Sequence, residues 1–144
     1  MGVLVPSPRL SLPERLRLIH HGVRDLIDRL EPDLLAVEDA FHAVNTRTAL
    51  VLGHVRGVVL LAGAEAGLPV EAFSPATVKL HVTGYGRADK AQVALMVSRI
   101  LGLPGEGEPG DAADALAVAL CGAQRRLPAR VVARSPRRAG GRPS

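Results

Sequence analysis

Aromatic residues and cysteine are scarce in this sequence, and each scarcity excludes something. There is no tryptophan, there are two phenylalanines, and Cys121 is the only cysteine. One cysteine forbids an internal disulfide and fits a reducing compartment. No zinc-type spacing of cysteine and histidine occurs, and no Gly-x-x-x-x-Gly-Lys loop or dinucleotide fingerprint. Structural zinc domains, P-loop enzymes and Rossmann enzymes are thereby set aside. The serine-bearing loops lack a partner pattern for nucleophilic catalysis. The first residues, Met1-Gly-Val-Leu-Val-Pro6, carry no basic segment and no long apolar stretch. A signal peptide is therefore not expected, and a cytoplasmic location is.

Acid is also missing, from one place. Between Arg125 and Ser144 stand seven arginines and no Asp or Glu. The whole chain has 18 basic and 14 acidic residues, net +4. Without those seven arginines, positions 1–124 hold eleven bases against fourteen acids. The body is slightly acidic and the end makes the protein basic. We expect one domain over 1–124 and a disordered basic tail over 125–144. Such a tail is either a solubilising appendage or a sequence-independent phosphate contact.

At 144 residues the chain is long enough for one real core. Leu50–Gly67 is apolar enough to raise a membrane span. His54, Arg56 and Glu65 fall inside it, and charge at the bilayer centre is costly. It is read as a buried helix of a soluble protein.

Local signals place the elements. Ser11, Pro13 and Glu14 form a capping-box start. Leu16, Ile19, Val23, Leu26, Ile27 and Leu30 follow at helical spacing, a stripe expected to lie on a sheet. Glu31-Pro32 ends the helix. Leu34–Val37 is a short apolar run, as in a strand buried on both faces. Glu38 stands at its carboxyl end, the edge where open α/β sheets bind ligands. A long helix is predicted from Thr46 to Ala66. Gly53 and Gly57 share one of its faces, which suggests close approach of a backbone, from this chain's sheet or a second subunit. Val70–Phe73 reads as the next strand. Ser74-Pro75 opens a short helix to Val82, and Asp89 caps another. The last helix starts at Asp111 and runs to Cys121. Val3–Val5 is compatible with a strand end.

Three acids stand out. Asp111 and Asp114 share a face in the first turn of their helix. There they either stabilise the helix dipole or join Glu38 in a hard-cation site. Glu38 and Asp39 read equally as solvated acids at a strand end, with Phe41 tucked beneath them.

Several stretches together resemble the RuvC family of Holliday-junction resolvases. They are Val37-Glu-Asp-Ala-Phe41, Asn45-Thr-Arg-Thr-Ala-Leu-Val-Leu-Gly-His-Val-Arg-Gly57, Pro75-Ala-Thr-Val-Lys79, Val82-Thr-Gly-Tyr-Gly-Arg-Ala-Asp-Lys-Ala-Gln92 and Asp111-Ala-Ala-Asp-Ala-Leu-Ala117. Each is weak alone, but five in order are specific. The resemblance implies an RNase H-like α/β fold, a mixed sheet flanked by helices. It implies a homodimeric endonuclease that cuts four-way DNA junctions in recombination and repair, beside a junction-binding and branch-migration complex. Two Mg²⁺ per subunit, with Mn²⁺ as a substitute, are implied as cofactors.

The resemblance also implies roles. Glu38, Asp111 and Asp114 match metal-binding acids and are expected to converge. Lys79 and Lys90 match the basic residues at the scissile phosphate. Phe41 matches the aromatic that meets bases at the junction centre, and Asn45 and Arg87 belong to the DNA-contacting stretches. One family feature has no counterpart. The family opens with a strand bearing a metal-bridging aspartate, in a pattern like Gly-Ile-Asp-Pro-Gly. The first acid here is Glu14, and Val3–Val5 resembles the family's third strand. Loss of the first strands is expected to expose sheet edge and core. The alternative is a catalytically incomplete junction-DNA-binding protein or a truncated gene product.

Overall fold

The computed structural model describes residues 3–39, 45–105, 107 and 110–126. Within them the order is α1 (Leu12–Leu30), β1 (Leu35–Glu38), α2 (Thr46–Glu65), β2 (Val70–Phe73), α3 (Pro75–Thr83), α4 (Lys90–Leu101) and α5 (Asp111–Arg126).

Local chemistry sets most boundaries. Ser11 Oγ accepts from the Glu14 N–H while Glu14 Oε2 accepts from the Ser11 N–H at 2.9 Å, a complete capping box. Those bonds to Ser11 hold the Glu14 carboxyl below the usual glutamate range. Glu31 closes α1 in the left-handed region at φ 44°, one residue before Pro32. Ser74 caps α3 with Pro75 at its first position, and Asp89 with Gln92 forms a second capping box on α4.

The sheet differs from expectation. Among the described residues it has two strands, parallel, with Leu35 opposite Val70 and Glu38 opposite Phe73. No antiparallel strand joins them there, while the α/β arrangement of a small sheet flanked by helices is as expected. Val3–Val5 forms no strand. Leu4 instead packs on Gly22 of α1, where a Cβ would come within 2.8 Å of its methyl carbon. The Leu35 and Asp39 N–H groups donate to Pro69 and Phe73 carbonyls. By strand alternation, the backbone groups of Ala36 and Glu38 turn to the other edge of β1. That edge has no partner strand among the described residues. Leu34–Val37 is accordingly half-buried rather than covered on both faces.

The helices also depart from expectation in three respects. α1 does not lie on the sheet. It packs along α2, joined by His20 Nε2 to Glu65 Oε2 at 2.8 Å and Arg24 Nη1 to Glu65 at 3.6 Å. A groove of about 570 Å³ separates its stripe from β1 and α5, because a two-stranded sheet is too narrow to fill that space. α2 is not buried either. Only its end, Ala62 and Gly63, sinks into the fold, and Leu50, Leu52 and Leu61 are half exposed or more. Gly63, rather than Gly53 or Gly57, allows the close approach to the sheet. A Cβ on Gly63 would run into Leu35, whereas nothing lies within 4 Å of one on Gly53 or Gly57.

Finally, α5 runs five residues beyond Cys121. Arg125 and Arg126, assigned above to the tail, form its last turn. Arg125 Nη1 reaches Glu71 Oε2 at 3.5 Å and stacks 5.8 Å from the Phe73 ring centre. Arg126 Nη1 donates to the Asp33 carbonyl at 3.2 Å. The rest of the tail, 127–144, lies outside the described residues.

The core gathers at one side. Phe73, Val78, Val82, Ala88, Val93, Val97, Ala117, Val118 and Cys121 form one buried cluster from β2, α3, the α3–α4 turn, α4 and α5. Burial pushes the Cys121 thiol pKa up, as expected of an inert structural cysteine.

Candidate active site

The site lies where the carboxyl end of β1 meets the start of α5. β1 presents Glu38 as its last residue, exposed. α5 packs against β1 and opens with Asp111 and Asp114. Close packing holds the two together: a Cβ on Gly122 of α5 would come within 3.2 Å of the Ala36 Cβ. Glu38, Asp111 and Asp114 line the same cavity, of about 410 Å³. Strand end and helix mouth thus border one cavity.

A second cavity, of about 280 Å³, backs onto the first. Glu38 and Asp114 line both, and Lys79 and Lys90 join them in the second. α3 supplies Lys79 and the first turn of α4 supplies Lys90. Lys90 Nζ donates to Asp114 Oδ2 at 3.2 Å. That hydrogen bond, then the Asp114 charge, with smaller help from Asp111 and Glu38, holds the ammonium above the usual lysine range. The lysine side chain is 74 % exposed, so water screens the pair heavily.

The donor set suits a hard cation: three carboxylates, oxygen only, with a lysine supplying positive charge at one of them. Among the described residues, however, no three ligating side chains stand close enough to form a ready-made cage. The three acids share a wall without closing on a point. Glu38, Asp111 and Asp114 fit the donor chemistry of a divalent ion.

The other site candidates fall elsewhere. Asn45 caps α2, its Oδ1 accepting from the Thr48 N–H at 2.9 Å. Arg87 is exposed in the turn that joins α3 to α4, where the Ala88 N–H donates to the Tyr85 carbonyl. Neither lines the two cavities. Phe41 lies outside the described residues.

One residue of the first cavity was not singled out from sequence. Arg56 of α2 lines it beside the carboxylates, and its Nη2 lies 3.1 Å from Asp39 Oδ1. The signal available was an isolated arginine amid the apolar residues of a helix.

Comparison with known proteins finds relatives over most of the chain. The family model described as crossover junction endodeoxyribonuclease RuvC matches residues 1–122. A protein of that name from Desulforamulus reducens is 50% identical over 118 residues, covering 82% of this chain and 72% of the relative. Another, from Parafrankia sp., is 44% identical over 99% of this chain and 83% of its own length. The Thermus thermophilus RuvC structure superposes with a TM-score of 0.77 at 42% identity, covering 85% of this chain and 74% of that one. The same Thermus protein in complex with a Holliday junction substrate also matches, with a TM-score of 0.77.

Proposed function

This chain belongs to the RuvC family of crossover junction endodeoxyribonucleases, and from that premise we propose that it resolves four-way DNA junctions by metal-dependent phosphodiester hydrolysis. The observation that carries the reading is one wall, Glu38 and Asp114, shared by two cavities. Carboxylates gather on one side and two lysines on the other.

Each side chain has a role in this proposal. Glu38, Asp111 and Asp114 hold the divalent ions, two Mg²⁺ per subunit, with Mn²⁺ as a substitute. When bound, such ions lower the pKa of a water and neutralise charge on the leaving oxygen. Lys79 and Lys90 steady the scissile phosphate as point charges. Lys90 would exchange its Asp114 bond for the phosphate as the cation arrives. Phe41 stacks on an unpaired base. Asn45 and Arg87 contact the backbone, Asn45 through the amide nitrogen opposite its capping oxygen. The binding-only alternative loses ground because the relatives quoted carry the endonuclease name.

The working unit is a homodimer, with α2 as the proposed interface. The exposed Leu50, Leu52 and Leu61 and the open Gly53 and Gly57 support that choice. Two sites on a twofold axis would face the two symmetric strands of a junction. Residues 1–126 would form the resolvase domain, acting in the cytoplasm, and the arginines of 127–144 would add phosphate contacts.

The test is incubation of the full chain with a labelled four-way junction and with linear duplex of the same sequence. The expected result is paired nicks in the junction alone, appearing with Mg²⁺ and stopping with chelator. Cleavage that ignores the chelator, or equal cutting of duplex, would refute the reading.

A further inference from the structure

Arg56 has hydrogen-bonding capacity that its surroundings do not use. Its guanidinium has five N–H donors in a planar fork. Nη2 is engaged by Asp39 at 3.1 Å. Nε is buried and, among the described residues, has no acceptor. Leaving a buried donor unpaired is unfavourable, and arginine donors inside proteins are normally met. The side chain lines the cavity that also holds Glu38, Asp111 and Asp114. An oxygen-rich anion entering that cavity would meet the remaining Nη donors, beyond the one Asp39 engages.

The neighbouring cavity says which anion. Its cations, Lys79 and Lys90, stand on the other side of the Glu38–Asp114 wall. A polyanion crossing the wall meets lysines before it and Arg56 after it. A single DNA strand is such a polyanion, with one charge per nucleotide. Arginine matches phosphate oxygens bidentately, which lysine does not. Asp39 fixes one edge of the fork and leaves the rest to the ligand.

Resting on the nuclease reading above, we propose that Arg56 is a substrate-positioning residue. It binds the strand phosphate adjacent to the one that reacts, on the far side of the carboxylate wall from Lys79 and Lys90. Its work is to hold the strand in line over the acids.

The test uses the full chain and junctions carrying one uncharged methylphosphonate at each phosphate flanking the cut. Cleavage in Mg²⁺ and gel shifts are read together. On the unaltered chain, one flanking position should lower kcat/KM by about tenfold to a hundredfold, the range for a lost charged hydrogen bond. Arg56→Gln should lose the same factor on the all-phosphate junction, and no more when that methylphosphonate is added. Its binding should show a salt slope shallower by about one phosphate contact. Losses that multiply at every position would overturn the subsite. Should Arg56→Gln melt below the unaltered chain, Arg56→Lys decides. Sensitivity to the same single position must persist in it, and an even spread over all positions overturns the proposal. An unaltered chain that neither cuts nor prefers junctions removes the functional reading and this subsite together. Intact cutting with multiplying losses removes Arg56 alone.

Discussion

The two sides of this molecule are built to different standards. On one, α3, α4, α5 and β2 enclose the buried cluster, and α4 and α5 each bury four residues. On the other, α1 buries only Ile27 and α2 only Ala62 and Gly63. The packed side supplies Asp111, Asp114, Lys79 and Lys90. The open side supplies Glu38, Asp39 and Arg56. The candidate site is the seam between them. Part of that site therefore stands on the less packed side.

The largest expected effect tests whether the seam acts as one site. Glu38→Gln from the open side and Asp114→Asn from the packed side should each cut Mg²⁺-dependent junction cleavage by about a hundredfold or more. The double variant should be little worse than either, since groups acting as a unit are not additive. Junction affinity in gel shifts should fall much less. Independent, multiplying losses would mean that the two sides do not share the chemistry.

Stability contrasts the sides directly. Val97 is 1% exposed within the packed cluster, whereas Leu18 on α1 is 44% exposed. Val97→Ala should cost about 2 kcal/mol through lost burial and the cavity left behind. Leu18→Ala should stay within about 0.5 kcal/mol, as surface changes do. Urea unfolding measures both. Equal costs would show that the open side is as well packed in solution as the other.

The smallest effect is a pH dependence confined to the start of α1. The Glu14 carboxyl is held below its usual range by its bonds to Ser11, so its pKa is lower folded than unfolded. Its contribution is therefore present above the unfolded pKa and is lost as pH falls through the folded value. Melting curves of the unaltered chain and Glu14→Gln should differ near neutral pH and converge as pH falls below the usual glutamate range and through the lowered folded value. A difference that persists in acid would refute the capping-box origin.

Sequence revealed most where the physics is local. The caps at Ser11, Ser74 and Asp89 fixed three helix starts because each signal spans four residues or fewer. Glu38 at a strand end and the acids of α5 were legible for the same reason. Relations across the chain were not. That α1 would lie on α2 depends on a sheet too narrow to receive it. The stripe on α1 declares an apolar face and not its partner. The pairing of Arg56 with Asp39 joins a helix to a strand end, and neither residue's neighbours announce it. Glycine spacing misled in part. Gly53 and Gly57 stand open, while Gly63 makes the contact with Leu35.

The parallel pairing of β1 with β2 has a consequence in time. Leu35 meets Val70, so the two strands cannot close as a hairpin and must wait for α2 to fold between them. Non-local pairings of this kind are reached late, after the entropy of loop closure has been met. α2, built from local contacts, is expected to form ahead of that pairing, with its leucines in water. Subunit encounter competes with strand pairing during the search. Refolding rates that depend on protein concentration are the expected mark of that competition, and dilution should shorten the time to the native sheet.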